Sequence, residues 1–312
     1  MDNLLEKIDK LKKKYNAVIL AHNYQPGEIQ DIADFTGDSL GLSITASKTD
    51  ADVIVFCGVL FMAETAAILS PDKIVLLPEK NAGCPMADMI TGEELKQLKQ
   101  KHPDAIVVCY VNSSAEVKAE SDYCCTSANA VEVVNSLPAD KKIIFVPDKN
   151  LGGYVKQMTS RDIILWPGYC PSHVMITEKD IKAARKQLPG AIVMSHPECN
   201  EPVKALSDKI LSTGQMLKFA KQSRIRKFIV ATETGIIHTL KKENPDAEFI
   251  AAAPKAVCPN MKKIPLEKIL WALEDLESSP DKKTKYRVTV PEDIRKRAKK
   301  ALDRMVEILP KN

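Results

Sequence analysis

The chain has 312 residues, room for two domains or one large α/β body, and its 45% apolar and 28% charged content is that of an ordinary globular protein. A net charge of +4, with lysines interspersed among glutamates, argues against a nucleic-acid partner, while small anionic ligands stay compatible. No run reaches the length of a membrane span, and Met1–Ile8 has no apolar leader core, so no membrane partner and a cytoplasmic location are expected.

A lysine-rich helix over 3–14 leads into an apolar strand, 16–21, which ends at His22-Asn23-Tyr24. A short helix near 28–35 follows, then a helix opening at Gly37-Asp38-Ser39 and running to Ser47. Strand 51–57, a helix near 63–69 and strand 73–77 lead to Cys84-Pro85. The order then repeats. Thr91 and Glu94 form a capping box for a helix to Lys101. Strand 105–110 ends in Tyr110-Val111-Asn112, Thr126-Ser127 opens a helix to Asn135, and strands 142–146 and 162–166 precede Cys170-Pro171. In the third round a Thr177…Asp180 cap starts a helix to Leu188, and strand 191–195 runs into His196-Pro197-Glu198. Ser212-Thr213-Gly214 opens a helix, and strands 227–231 and 248–252 lead to Cys258-Pro259. A helix over 265–276, a strand over 286–290 and a helix over 291–309 form a tail outside the repeat.

Two sets of spacings make the repeat concrete. The three Cys-Pro steps lie 86 and then 88 residues apart, each after an apolar run and a proline. The pairs His22/Tyr24, Tyr110/Asn112 and His196/Glu198 end the first strand of each round, and 15 residues after each pair stands Ser39, Ser127 or Thr213. The expected organisation is a pseudo-three-fold set of three small three-layer αβα units with parallel sheets around one central site. Its units are 1–88, 89–174 and 175–264, with the tail 265–312 packed on them. Site residues then gather beyond the carboxyl ends of the strands.

Eight cysteines without a C-x-x-C pair suit reduced thiols and metal ligands better than a disulfide framework. Cys84, Cys170 and Cys258 can hold three corners of a [4Fe–4S] cluster and leave one iron open as a Lewis acid; zinc with three cysteines and a water is the rival. Ser39, Ser127 and Thr213 read either as helix caps or as parts of anion sites at helix N-termini. His22, Tyr24, His196 and Glu198 are candidate acid–base groups, and His173 lies three residues from Cys170. His102 and His238 are not assigned to the site. Cys57, Cys109, Cys124 and Cys125 read as buried thiols, and Cys199 stays open because it adjoins Glu198.

Several stretches resemble the quinolinate synthase family, iron–sulfur enzymes of de novo NAD biosynthesis: Ala21-His-Asn-Tyr-Gln25, Gly37-Asp-Ser-Leu40, Phe61-Met-Ala-Glu64, Tyr110-Val-Asn-Ser113, Cys125-Thr-Ser-Ala-Asn-Ala130, His196-Pro-Glu-Cys199, Ser212-Thr-Gly-Gln-Met216 and Cys258-Pro-Asn-Met261. The resemblance covers roughly 3–275. It implies a transferase that condenses iminoaspartate with dihydroxyacetone phosphate to quinolinate, losing phosphate and two waters, with the enzyme that supplies iminoaspartate as a partner. It implies that Cys84, Cys170 and Cys258 ligate a [4Fe–4S] cluster. His22, Ser39 and Ser127 resemble the residues that hold the triose phosphate, and Tyr24, His196 and Glu198 the acid–base set. Tyr110, Asn112, His173 and Thr213 resemble those that orient dicarboxylate intermediates, with His196 and Glu198 also touching substrate. Some members carry a C-x-x-C-x-x-C run at the last ligand; Cys258-Pro-Asn-Met261 lacks it, so no thiol switch is expected there. An aconitase-like hydro-lyase and an iron–sulfur redox sensor are the alternatives. The sensor would need a partner-binding module, and none is visible.

Overall fold

The computed structural model describes residues 2–279 and 284–308. Among these residues three four-stranded sheets form, ordered β2-β1-β3-β4, β6-β5-β7-β8 and β10-β9-β11-β12, the same second-first-third-fourth order each time. The strands are β1 Ala17–His22, β2 Phe35–Gly37, β3 Val53–Cys57 and β4 Ile74–Leu76 in the first sheet. The second holds β5 Ile106–Tyr110, β6 Tyr123–Cys125, β7 Ile143–Val146 and β8 Ile163–Leu165. The third holds β9 Ile192–Ser195, β10 Lys209–Ile210, β11 Lys227–Ala231 and β12 Glu248–Ala251. Every pairing among these twelve strands is parallel. Val53–Cys57 is buried at every position, the signature of a strand covered by helices on both faces.

One side chain fixes the edge strand of each sheet. Asp34, Asp122 and Asp208 accept the backbone N–H of Ile19, Val107 and Val193 at 2.7, 2.8 and 2.8 Å. The register repeats accordingly, with Leu20 opposite Phe35, Val108 opposite Tyr123 and Met194 opposite Lys209. These edge strands are two or three residues long. They escape a reading by periodicity because so short a run has no period.

A second repeated position closes the ring of units. Gln30, Lys118 and Lys204, each four residues before the aspartate, are buried. Gln30 Nε2 donates to Gly235 O at 2.9 Å, Lys204 Nζ donates to Asn150 O at 2.9 Å, and the Lys118 ammonium lies 5.4 Å from the Phe61 ring centroid. Phe61, Asn150 and Gly235 in turn stand four residues past the third strand of the preceding unit. Each unit therefore latches onto its neighbour at the same place.

The capping boxes at Thr91/Glu94 and Thr177/Asp180 form as expected. Four expectations need correction. The helix expected to reach Phe35 ends at Ile32, because Asp34 is drawn to Ile19 N and Phe35 starts β2. The helix expected from Thr126 begins at Ala130, because the Asn129 side chain accepts both Thr126 N and Thr126 Oγ1 and folds a turn first. Helices at Ala115–Ala119, Lys149–Thr159 and Glu201–Ala205 were not anticipated. Residues 286–290 form no strand: one antiparallel bridge joins Arg287 to Leu76, since β4 offers only three residues of free edge. The last helix spans Glu292–Glu307, and its expected end at Leu309 lies outside the described residues. Among the described residues no helix is long and apolar enough to cross a membrane.

Candidate active site at the meeting of three sheets

The strand ends of all three sheets open onto one cavity. Every candidate from the sequence lines it: His22, Tyr24, Ser39, Cys84, Tyr110, Asn112, Ser127, Cys170, His173, His196, Glu198, Thr213 and Cys258. Asp38, Val59, Ser172 and Glu233 line it too. Cys84, Cys170 and Cys258 are half-buried, whereas Cys57, Cys109, Cys124, Cys125 and Cys199 are fully buried. The thiols that recur with the repeat are thus the ones presented to the cavity. Cys170 Sγ, His173 and Glu198 also offer ligand atoms within 4.8 Å of one another, a group able to hold a metal ion.

Burial pushes the Cys84 thiol up to about 12 and raises Cys170 and Cys258 as well. Three soft donors that are reluctant to ionise alone, converging on one cavity, fit a cationic metal group that would stabilise their thiolates. An iron–sulfur cluster meets that description.

Beside the cysteines a chain of buried polar groups crosses the units. Tyr24 Oη lies 2.5 Å from Thr232 Oγ1, and Thr232 Oγ1 lies 2.8 Å from His173 Nε2. His173 Nδ1 lies 2.6 Å from Glu198 Oε2 and 3.1 Å from Cys170 Sγ. Tyr110 donates its hydroxyl to Glu198 Oε1 at 2.6 Å. Burial alone would raise Glu198, but the facing His173 and His196 outweigh it and hold the carboxyl well below the usual carboxylate range. Burial raises both Tyr24 and Tyr110, so both keep their protons.

His22 and His196 occupy matching positions and make matching bonds. Each accepts, at Nδ1, the backbone N–H two residues on, from Tyr24 at 3.2 Å and from Glu198 at 3.3 Å. Each therefore carries its proton on Nε2 when neutral, and burial lowers both to about 3. His196 Nε2 donates to Ser127 Oγ at 3.1 Å. Its Nδ1 stands 3.8 Å from Glu198 Oε2, too far for a hydrogen bond.

The cap reading of the three hydroxyls is set aside. Asp38 caps helix Ser39–Lys48 and Ser212 caps helix Thr213–Gln222, so Ser39 and Thr213 sit one residue inside their helices. Ser127 lies in the turn before Ala130–Asn135. Thr213 Oγ1 accepts from Asn23 Nδ2 at 3.0 Å, and buried Asn112 Oδ1 has no protein partner.

Thr232, Asp148, Glu233 and Lys262 were missed in the sequence. Thr232 directly follows β11, and Asp148 and Glu233 each stand two residues past the third strand of their unit. That shared register was the available signal, and the first unit hides it by carrying Val59 there.

Residues 6–307 match the family model described as Quinolinate synthetase A protein. Over 303 residues the chain is 57% identical to the quinolinate synthase of Dehalococcoides mccartyi strain CBDB1, covering 97% of each. It is 54% identical over 307 residues to that of Geobacter metallireducens, covering 98% of each. It is also 54% identical over 305 residues to that of Methanosarcina barkeri, covering 98% of this chain and 97% of the relative. Family match and near full-length identity agree, and the chain belongs to the quinolinate synthase family of enzymes.

Proposed function

We propose that this enzyme is a transferase condensing iminoaspartate with dihydroxyacetone phosphate, with release of phosphate and two waters, to give quinolinate. Cys84, Cys170 and Cys258 would hold a [4Fe–4S] cluster. The observation that carries the reading is the union of three half-buried thiols with an unbroken polar chain in one cavity, in a relative of proteins named quinolinate synthase. Bound through three thiolates, the cluster would supply an iron able to polarise a hydroxyl or carboxylate. The hydro-lyase and sensor readings find no support among the relatives.

The chain's own groups divide the remaining work. Ser39 stands at the start of a ten-residue helix whose Gly41 N–H is taken by the Asp38 cap, which leaves the N–H groups of Ser39 and Leu40 at the helix start to meet an anion. Neutral His22 offers an Nε2–H, and Ser127, already accepting from His196, has its own proton to give. These donors suit a phosphate. Asn112 Oδ1 can accept from an amine or hydroxyl, and the Thr213 proton can meet a carboxylate. Glu198 is ionised at neutral pH and serves as the base for a proton α to a carbonyl or imine. His173 passes that proton between Glu198 and Thr232, and Tyr24 at the far end donates to a departing hydroxyl.

Eight free cysteines suit a reducing compartment, so the cytoplasm is the proposed location, and the enzyme that makes iminoaspartate is the one partner implied. The test is anaerobic reconstitution with iron and sulfide, followed by addition of both substrates. Quinolinate and phosphate should form, and formation should stop after exposure to air. A protein that shows the cluster spectrum yet makes no quinolinate would contradict the substrate assignment.

A further inference from the structure

The position two residues past the third strand is equivalent in the three units, because the next residue makes the same backbone bond in each. Leu60 N donates to Ala82 O at 2.8 Å, Lys149 N to Gly168 O at 2.8 Å, and Thr234 N to Ala256 O at 3.1 Å. Each acceptor lies two residues before a cavity cysteine. The position itself holds Val59, Asp148 and Glu233, all buried.

The two carboxylates make the same pair of contacts. Asp148 Oδ1 accepts Leu151 N at 2.7 Å, capping helix Lys149–Thr159, while Oδ2 accepts Cys170 N at 3.1 Å. Glu233 Oε2 accepts Gly235 N at 2.7 Å, at the start of helix Ile236–Glu243, while Oε1 accepts Cys258 N at 3.1 Å and pairs with Lys262 Nζ at 2.9 Å. The close approach is built in: a Cβ on Gly168 would lie 2.5 Å from Pro147 O, so only glycine lets the Cys170 loop come this near. Val59 precedes helix Leu60–Leu69 without any side-chain cap and has no side-chain oxygen to offer Cys84.

We propose that Asp148 and Glu233 are positioning residues that tie the backbones of Cys170 and Cys258 to helix starts, leaving Cys84 as the one cavity cysteine without such a tie. The inference rests on the reading that these cysteines hold an iron–sulfur cluster. The chemistry demands a carboxylate, since both oxygens face N–H donors. An amide in its place would turn an NH₂ group onto one of those donors, so even the isosteric variant breaks one contact.

The experiment follows iron transfer from anaerobically reconstituted protein to an excess of chelator. Partners that orient metal ligands typically carry about 10–100-fold in metal retention, and Asp148→Asn and Glu233→Gln should speed iron release by about that factor. Thr91→Ala removes an N-cap in the same unit as Asp148 but touches no cysteine. It should lower thermal stability comparably without speeding release, which separates positioning from general loosening. Wild-type release rates in both carboxylate variants, or equal acceleration in Thr91→Ala, would overturn the proposal. Failure of the wild-type chain to take up iron and sulfide would instead overturn the cluster reading beneath it.

Discussion

Replacing Glu198 with glutamine keeps the shape of a residue that is 2% exposed and changes only what its two terminal atoms can do. One oxygen accepts from the Tyr110 hydroxyl at 2.6 Å, and the other faces His173 Nδ1 at 2.6 Å. If the glutamine oxygen stays with Tyr110, its NH₂ donates to His173 Nδ1, which forces the imidazole proton onto Nε2 and reverses the bond to Thr232. If the amide flips, Tyr110 loses its acceptor. Either arrangement breaks the order of donors from Tyr110 to Tyr24 and removes the proposed base. A positioned acid–base group contributes about 10²–10⁴ in rate, so turnover should fall by that factor, or about 2.7–5.4 kcal/mol of transition-state stabilisation. The fold and metal content should persist, because removing a buried charge offsets part of the lost hydrogen bonding. The assay pairs iron and sulfide content with the rate of quinolinate formation. A fully loaded Glu198→Gln enzyme turning over near the wild-type rate would refute the assignment.

Other outcomes follow from the same contacts. Ser39→Ala should raise KM for dihydroxyacetone phosphate while leaving helix stability nearly untouched, since Asp38 and not Ser39 is the cap; steady-state kinetics with urea unfolding checks both. Lys204→Met strips the donor from Asn150 O at a unit boundary and should cost about 1–3 kcal/mol in urea unfolding; an unchanged midpoint would undo the latch. Buried His22 and His196 have depressed folded values near 3 against 6.5 unfolded, so below pH 6.5 the unfolded chain binds protons that the folded one refuses. Stability of the metal-free chain should therefore fall as pH drops from 6.5 towards 3, by up to about 1.4 kcal/mol per histidine per pH unit. A flat stability between pH 7.5 and 5.5 would contradict their burial as neutral groups.

What could be read in the sequence, and what could not, divides along physical lines. The three Cys-Pro steps and the 15-residue spacing repeat in residue type, so the cavity was visible before the fold was. The latch position was not, because glutamine, lysine and lysine solve it by different contacts. The carboxylates beside Cys170 and Cys258 stayed hidden for the same reason, with valine as the third member of the set. Thr232 joins Tyr24 to His173 across three units, a meeting that no local pattern encodes. The hydroxyl residues were legible as a set, yet whether they cap or bind turned on one-residue offsets that only backbone geometry resolves.

The convergence of three repeat-related cysteines on one metal group is best tested by iron and sulfide content per chain after anaerobic reconstitution of single variants. The wild type should hold about four irons and four sulfides, and Cys84→Ala, Cys170→Ala and Cys258→Ala should each fail to retain that complement. Cys57→Ala and Cys199→Ala, which remove thiols buried away from the cavity, should keep it. A full cluster in any one of the first three variants would contradict the three-fold site.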